Sequence, residues 1–120
     1  MKTLLALLLL VPSLSWGADF QKGLTAADKG DYATALKEWT PLAEQGNASA
    51  QTNLGFMYSN GEGVLQDNIY AHMWWNIAAS SGVSEAAENR TIAEKNMTTA
   101  DISTAQELAR QCVNKNYKDC

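Results

Sequence analysis

The chain has one histidine, two cysteines and two prolines in 120 residues. Each scarcity excludes something. With His72 alone, no multi-histidine zinc site can form, and nothing supplies a soft ligand set around it. His72 reads instead as a partly exposed helix residue. A Ser-His-Asp triad would have to use the same histidine, and no glycine-flanked nucleophile elbow surrounds any serine. Cys112 and Cys120 lack the Cys-x-x-Cys spacing of a redox pair. Gly61-x-Gly63 follows no strand pattern and precedes no Lys-Ser/Thr, so it reads as a turn and not as a phosphate loop. Lysine and arginine form no cluster, and the formal net charge is −4. Neither nucleic acid nor an anionic membrane surface is an expected partner of such a chain. No metal and no cofactor is implied, and the reading is of a protein that is not an enzyme.

Long apolar runs are just as scarce. The one present, Leu4 to Val11, follows Lys2 and is broken by Pro12. Ser15 and Gly17 then offer small residues at −3 and −1, so residues 1–17 read as a signal peptide cleaved before Ala18. The run is too short to cross a bilayer as a mature helix. No cysteine lies near the cleavage point, so a lipid anchor is not expected. The mature chain is expected in the periplasm or secreted, as a monomer without membrane insertion. At 46% hydrophobic, the sequence can bury a core and lies far from the disordered range.

What the chain does contain is helical periodicity. Ala50, Leu54, Gly55 and Tyr58 recur at helical spacing over Ala48 to Ser59. Asn60-Gly61-Glu62-Gly63 turns the chain, and a second helix runs from near the N-cap Asp67 to Ser81, closed by Gly82. Ala35, Trp39, Ala43 and Gly46 return as Ala71, Trp75, Ala79 and Gly82 (71 − 35 = 36). Asn53 and Ala50 return as Asn89 and Ala86 at the same shift. A fixed period of this length marks stacked helical hairpins. The fold class is all-α, an α-α superhelix of about three antiparallel hairpins. The units are 18–46 (degenerate), 47–82 (full) and 83–120 (a cap), the first with a tight Gly30-Asp31 turn.

Within this pattern, Trp75 aligns with Trp39 and is assigned to the core, while Trp74 is expected at an edge between units. Pro41 should bend the second helix. In the last unit Arg90 takes the place of Leu54 and Glu94 that of Tyr58, as suits a solvated end. Ile102, Ala105, Leu108, Ala109 and Cys112 form the inward stripe of a sixth helix.

The run from Ala50 through Leu54-Gly55, Tyr58, Gly61-x-Gly63-Val64, Asp67, Ala71, Trp75 and Ala78-Ala79 to Gly82 resembles a Sel1-like repeat, a relative of the tetratricopeptide repeat. That resemblance implies an adaptor for another protein. For an exported member it implies an envelope adaptor or regulator, or an immunity protein against a secreted effector such as a phospholipase. A cysteine-rich branch of the family, linked to β-lactam binding and hydrolysis, implies the alternative of a small hydrolase or ligand binder. The sequence departs from that branch: it lacks a cysteine pair in each repeat, and no serine has a lysine three residues on.

An even cysteine count in an exported chain favours a disulfide between Cys112 and Cys120. On one continuous helix the two would lie roughly 12 Å apart, beyond the bridging range. The sixth helix must therefore stop between Val113 and Asn116 and the tail fold back. For binding, the first helix of each unit lines the concave face of such a stack. The outward stripe Ser49, Thr52, Phe56, Ser59 and Asn60 is the candidate contact surface, extended by Asn89 and Arg90. The competing place for Phe56 is against a neighbouring helix.

Overall fold

The computed structural model describes residues 17–120; the leader assignment of residues 1–17 falls outside them but for Gly17. Six helices follow: α1 Phe20–Asp28, α2 Tyr32–Glu44, α3 Ala48–Asn60, α4 Asn68–Ser80, α5 Ser84–Glu94 and α6 Thr99–Asn114. The chain is all-α over these residues, an α-α superhelix. Short polar side chains start most helices by accepting a backbone N–H of the first turn. Asp19 accepts from Lys22, Asp31 from Thr34, Asn47 from Ala50, Asp67 from Ile69 and Tyr70, and Thr98 from Asp101. Only α5 starts without one, on Val83.

The α3–α4 connection uses its glycines structurally. Gly61 caps α3 in the left-handed region at φ 69°, and Gly63 follows at φ 76°. A β-carbon at Gly63 would stand 3.1 Å from the Tyr32 carbonyl oxygen, so this loop rests against the preceding hairpin. α2 continues through Pro41 to Glu44.

One device repeats in the first two units. The Trp39 indole covers Gly23, and its N–H donates to the Phe20 carbonyl at 3.2 Å. The Trp75 indole covers Gly55, and its N–H donates to the Thr52 carbonyl at 3.1 Å. In both, the acceptor lies three residues before the glycine. The third unit lacks it. A shift of 36 from Gly55 and Trp75 reaches Thr91 and Gln111 (55 + 36 and 75 + 36), which supply neither the missing side chain nor the indole. Without the lock, α6 packs on α4 in preference to α5.

α4 therefore becomes the central helix, in contact with α3, α5 and α6. Trp74 and Trp75 serve two different clusters on it. Trp74 joins Met73, Ile77, Leu54, Ala109 and Cys112, whereas Trp75 joins Ala71, Ala78 and Ala86. This corrects the edge position expected for Trp74, which is 4% exposed. Adjacent residues point about 100° apart on a helix, and α4 has packed neighbours in both directions.

His72 also departs from expectation. It is fully buried, and its Nε2 lies 2.8 Å from Glu94 Oε2 on α5, with no hydrogen-bond partner at Nδ1. The Tyr-to-Glu change at position 94, read above as mere solvation of an end, thus ties α5 to α4.

The C-terminal staple is present. Cys112 and Cys120 are bonded with their Cα atoms 5.4 Å apart. Positive φ at Asn116, Tyr117 and Asp119 turns the tail back. There the Tyr117 ring packs beside Gly46, and Lys118 Nζ donates to the Glu44 carbonyl at 3.1 Å. Reducing this disulfide is expected to lower unfolding stability by about 2–3 kcal/mol, the chain-entropy value for so short a loop. Urea unfolding with and without reductant measures the difference.

Candidate functional site

α1, α3 and the start of α5 border the surface expected to be concave. Two adjoining clefts of about 240 and 130 Å³ share Leu24 and Asn53 in their walls. The first is completed by Phe20, Ser49, Thr52 and Val83, with Glu85 at its side; the second includes Ala27, Phe56 and Met57, with Glu62 at its side. Acidic side chains thus flank both, and no lysine or arginine lines either. Beside Glu62, the Tyr32 hydroxyl is held above its ordinary pKa, first by hydrogen bonding to that carboxylate and then by its charge.

The structure distributes the expected contact residues unevenly. Thr52 lines the first cleft but offers it little surface. It is 3% exposed, its hydroxyl donates to the Ala48 carbonyl at 2.9 Å, and its own carbonyl accepts the Trp75 indole. The stripe instead passes through Ser49, Asn53, Phe56 and Asn60, with Asn53 in the place expected for Thr52. Phe56 is half-buried, its ring edge-to-face with Trp75 at 5.4 Å between centroids. It is at once a groove residue and a packing residue. Ser59 is half-buried, and exposed Asn60 donates from Nδ2 to Glu62 at 3.3 Å.

On α5 the two expected residues part company. Asn89 occupies the register position of Asn53 and is half-buried. Arg90 turns toward α4, where its Nη1 donates to Asn76 Oδ1 at 2.8 Å. It stands at the position of Leu54, whose side chain also points into the helix layer. Arg90 therefore leaves the concave surface.

The amide at Asn53 was the missed member, and its signal was available. The same shift that aligned Asn53 with Asn89 also aligns Phe56 with Ile92 (92 − 56 = 36), and the Gly23/Gly55 alignment adds Leu24 (55 − 23 and 56 − 24 are both 32). Ile92 is 56% exposed. Leu24 and Phe56 thus stand beside the Asn53 carboxamide in one cleft, and Ile92 and Asn89 hold the corresponding register positions on α5. A carboxamide offers both donor and acceptor, as a peptide bond does. Such a surface can hold an extended chain by its backbone while apolar side chains settle on Leu24 and Phe56.

Comparison with known proteins places this geometry in context. Residues 48–83 match the family model described as Sel1 repeat. An uncharacterized protein of Neisseria meningitidis serogroup B is 56% identical over 34 residues, 28% of this chain and 7% of the relative. The chain thus aligns with only a small part of that relative's length. The chain carries a Sel1 repeat at 48–83, a unit of the kind that generally mediates protein interaction and is typically non-catalytic.

Proposed function

We propose that this chain, built around the Sel1 repeat at 48–83, is an exported, non-enzymatic binding module. Its concave face holds an extended segment of a partner protein. The observation that carries the reading is the cleft in which Leu24 and Phe56 stand beside the Asn53 amide; the repeat shift of 36 extends it to Ile92 and Asn89 on α5. Apolar side chains give the affinity, and the amides pair with partner backbone. The acidic flanks, Glu62 and Glu85, favour a segment that is neutral or basic. Phe56, Ser59, Asn60 and Asn89 remain in the proposed surface with Asn53 added; Thr52 lines it with little exposed area, and Arg90 supports it through its bond to Asn76.

Export is supported by the leader-like residues 1–17, by the Cys112–Cys120 disulfide, and by the finding that no described helix is long and apolar enough to cross a membrane. The repeat at 47–82 is flanked in this reading by a degenerate unit, 18–46, and a cap, 83–120. The role in the envelope is that of an adaptor or regulator, or of an immunity protein for a secreted effector, acting as a monomer. Hydrolysis has little to work with: the sole histidine is sealed from solvent between α4 and α5.

Affinity capture from an envelope and secreted extract, using residues 18–120 as bait, tests the reading. A partner retained by the natural chain should be lost with Phe56→Ala and with Asn53→Ala. It should be kept with Arg90→Ala, whose side chain faces α4. Phe56→Ala should cost about 1–2 kcal/mol of stability, below the 3–5 kcal/mol of a fully buried phenylalanine. A partner that survives both groove substitutions sinks the assignment.

A further inference from the structure

The departure of α6 from α5 leaves a third cleft, lined by α4 and α6. It holds about 360 Å³ between the C-terminal halves of α4 and α6, at the lower end of small-molecule sites. Ile77, Ala109 and Val113 provide an apolar lining, and Val113 is 44% exposed there. Asn76, Arg110 and Asn114 stand around it as polar groups.

The one formally charged side chain in the lining is Arg110, and the polar groups keep uncommitted donors. Asn76 Oδ1 accepts from Arg90 Nη1 at 2.8 Å, which fixes the amide orientation and leaves both Nδ2 protons to be donated. Arg110 spends one N–H on Glu107 at 2.7 Å and keeps the others. Ser80, also in the wall, donates its hydroxyl proton to the Ile77 carbonyl at 2.6 Å and brings no donor of its own. Arg90 and Arg110 are the only arginines in a chain of net charge −4. One lines this cleft and the other holds a residue that does. An acceptor-only, negatively charged group complements such a rim, and a short hydrocarbon tail complements the lining.

We propose that the α4–α6 cleft binds a small aliphatic carboxylate. The carboxylate sits between Arg110 and the amides of Asn76 and Asn114, and the tail lies on Ile77, Ala109 and Val113. This site is independent of the concave-face reading and stands or falls without it. The test is a methyl and amide NMR titration of residues 18–120 with octanoate, with octanol and acetate as the uncharged and tail-less probes.

Saturable shifts are expected at Ile77, Ala109 and Val113 and not at Leu24 or Phe56. Octanol and acetate should each bind about tenfold more weakly, the size of effect set by a hydrogen bond to a charged group or by a buried tail. Arg110→Gln alters an exposed side chain, so the spectrum elsewhere should be unchanged. It should weaken octanoate about tenfold and leave octanol unaffected. Octanol binding as tightly as octanoate, shifts centred on the concave face, or no saturable shift at all would overturn the proposal.

Discussion

Gly55→Leu is expected to abolish folding, and Gly55→Ala alone to cost about 2–3 kcal/mol, the upper part of the range for overpacking. The cause is local. A β-carbon at position 55 would stand 2.8 Å from Trp75 Cε2 and nearer still to the indole nitrogen. To admit it, the ring must move, and moving it breaks the 3.1 Å bond to the Thr52 carbonyl. Trp75 is 3% exposed among Ala71, Ala78 and Ala86, so the ring has nowhere to go without shifting α3 from α4. Gly55→Ala combined with Trp75→Phe should therefore cost less than the sum of the two changes, because the smaller ring leaves room for the methyl group. Urea unfolding of the four proteins gives the coupling. Strict additivity would mean that the glycine and the indole are not in contact.

Trp74→Ala is expected to cost about 3–5 kcal/mol, the value for truncating a fully packed aromatic. Trp74 sits with Met73, Ile77, Ala109 and Cys112 where α6 and its disulfide close over α4. Its loss should loosen the C-terminal staple region first. Amide exchange over α6 should rise well before that over α2 and α3. A cost below about 1 kcal/mol, the scale of ordinary surface changes, would return Trp74 to the edge of the fold.

The repeat was legible because one full copy is echoed by a degenerate one. Ala35/Ala71 and Trp39/Trp75 recur 36 residues apart and Gly23/Gly55 32 apart, the difference lying in the shorter first turn, and the N-cap Asp67 marked the start of α4. Trp74 was misplaced for a specific reason. Counting faces on α4 shows that two adjacent tryptophans diverge, but not that α4 has neighbours on both sides. That second neighbour is α6, which packs on α4 in preference to α5, with Thr91 and Gln111 standing in place of the glycine and the indole. His72 was misread on the same ground, since its partner Glu94 lies on another helix and no periodicity couples the two. On the concave face the error was one of phase. Thr52 and Asn53 are neighbours, and a stripe drawn from Phe56 and Asn60 passes near both. Both line the first cleft, and the Thr52 hydroxyl turning back to Ala48, a local bond that serine and threonine make in helices, leaves Asn53 the more exposed of the two. Arg90 shows the limit of reading charge as exposure, because a long side chain can cross to the next helix and bond there.

The central claim is that the concave face is the binding surface. Hydrogen exchange of the chain, alone and saturated with its captured partner, tests it most directly. New protection should appear in α1 and α3, around Leu24, Asn53 and Phe56, and extend to Asn89 on α5, with α4 and α6 unchanged. Protection confined to α4 and α6, with α3 unaffected, would contradict the account and move the protein-binding surface to the opposite layer.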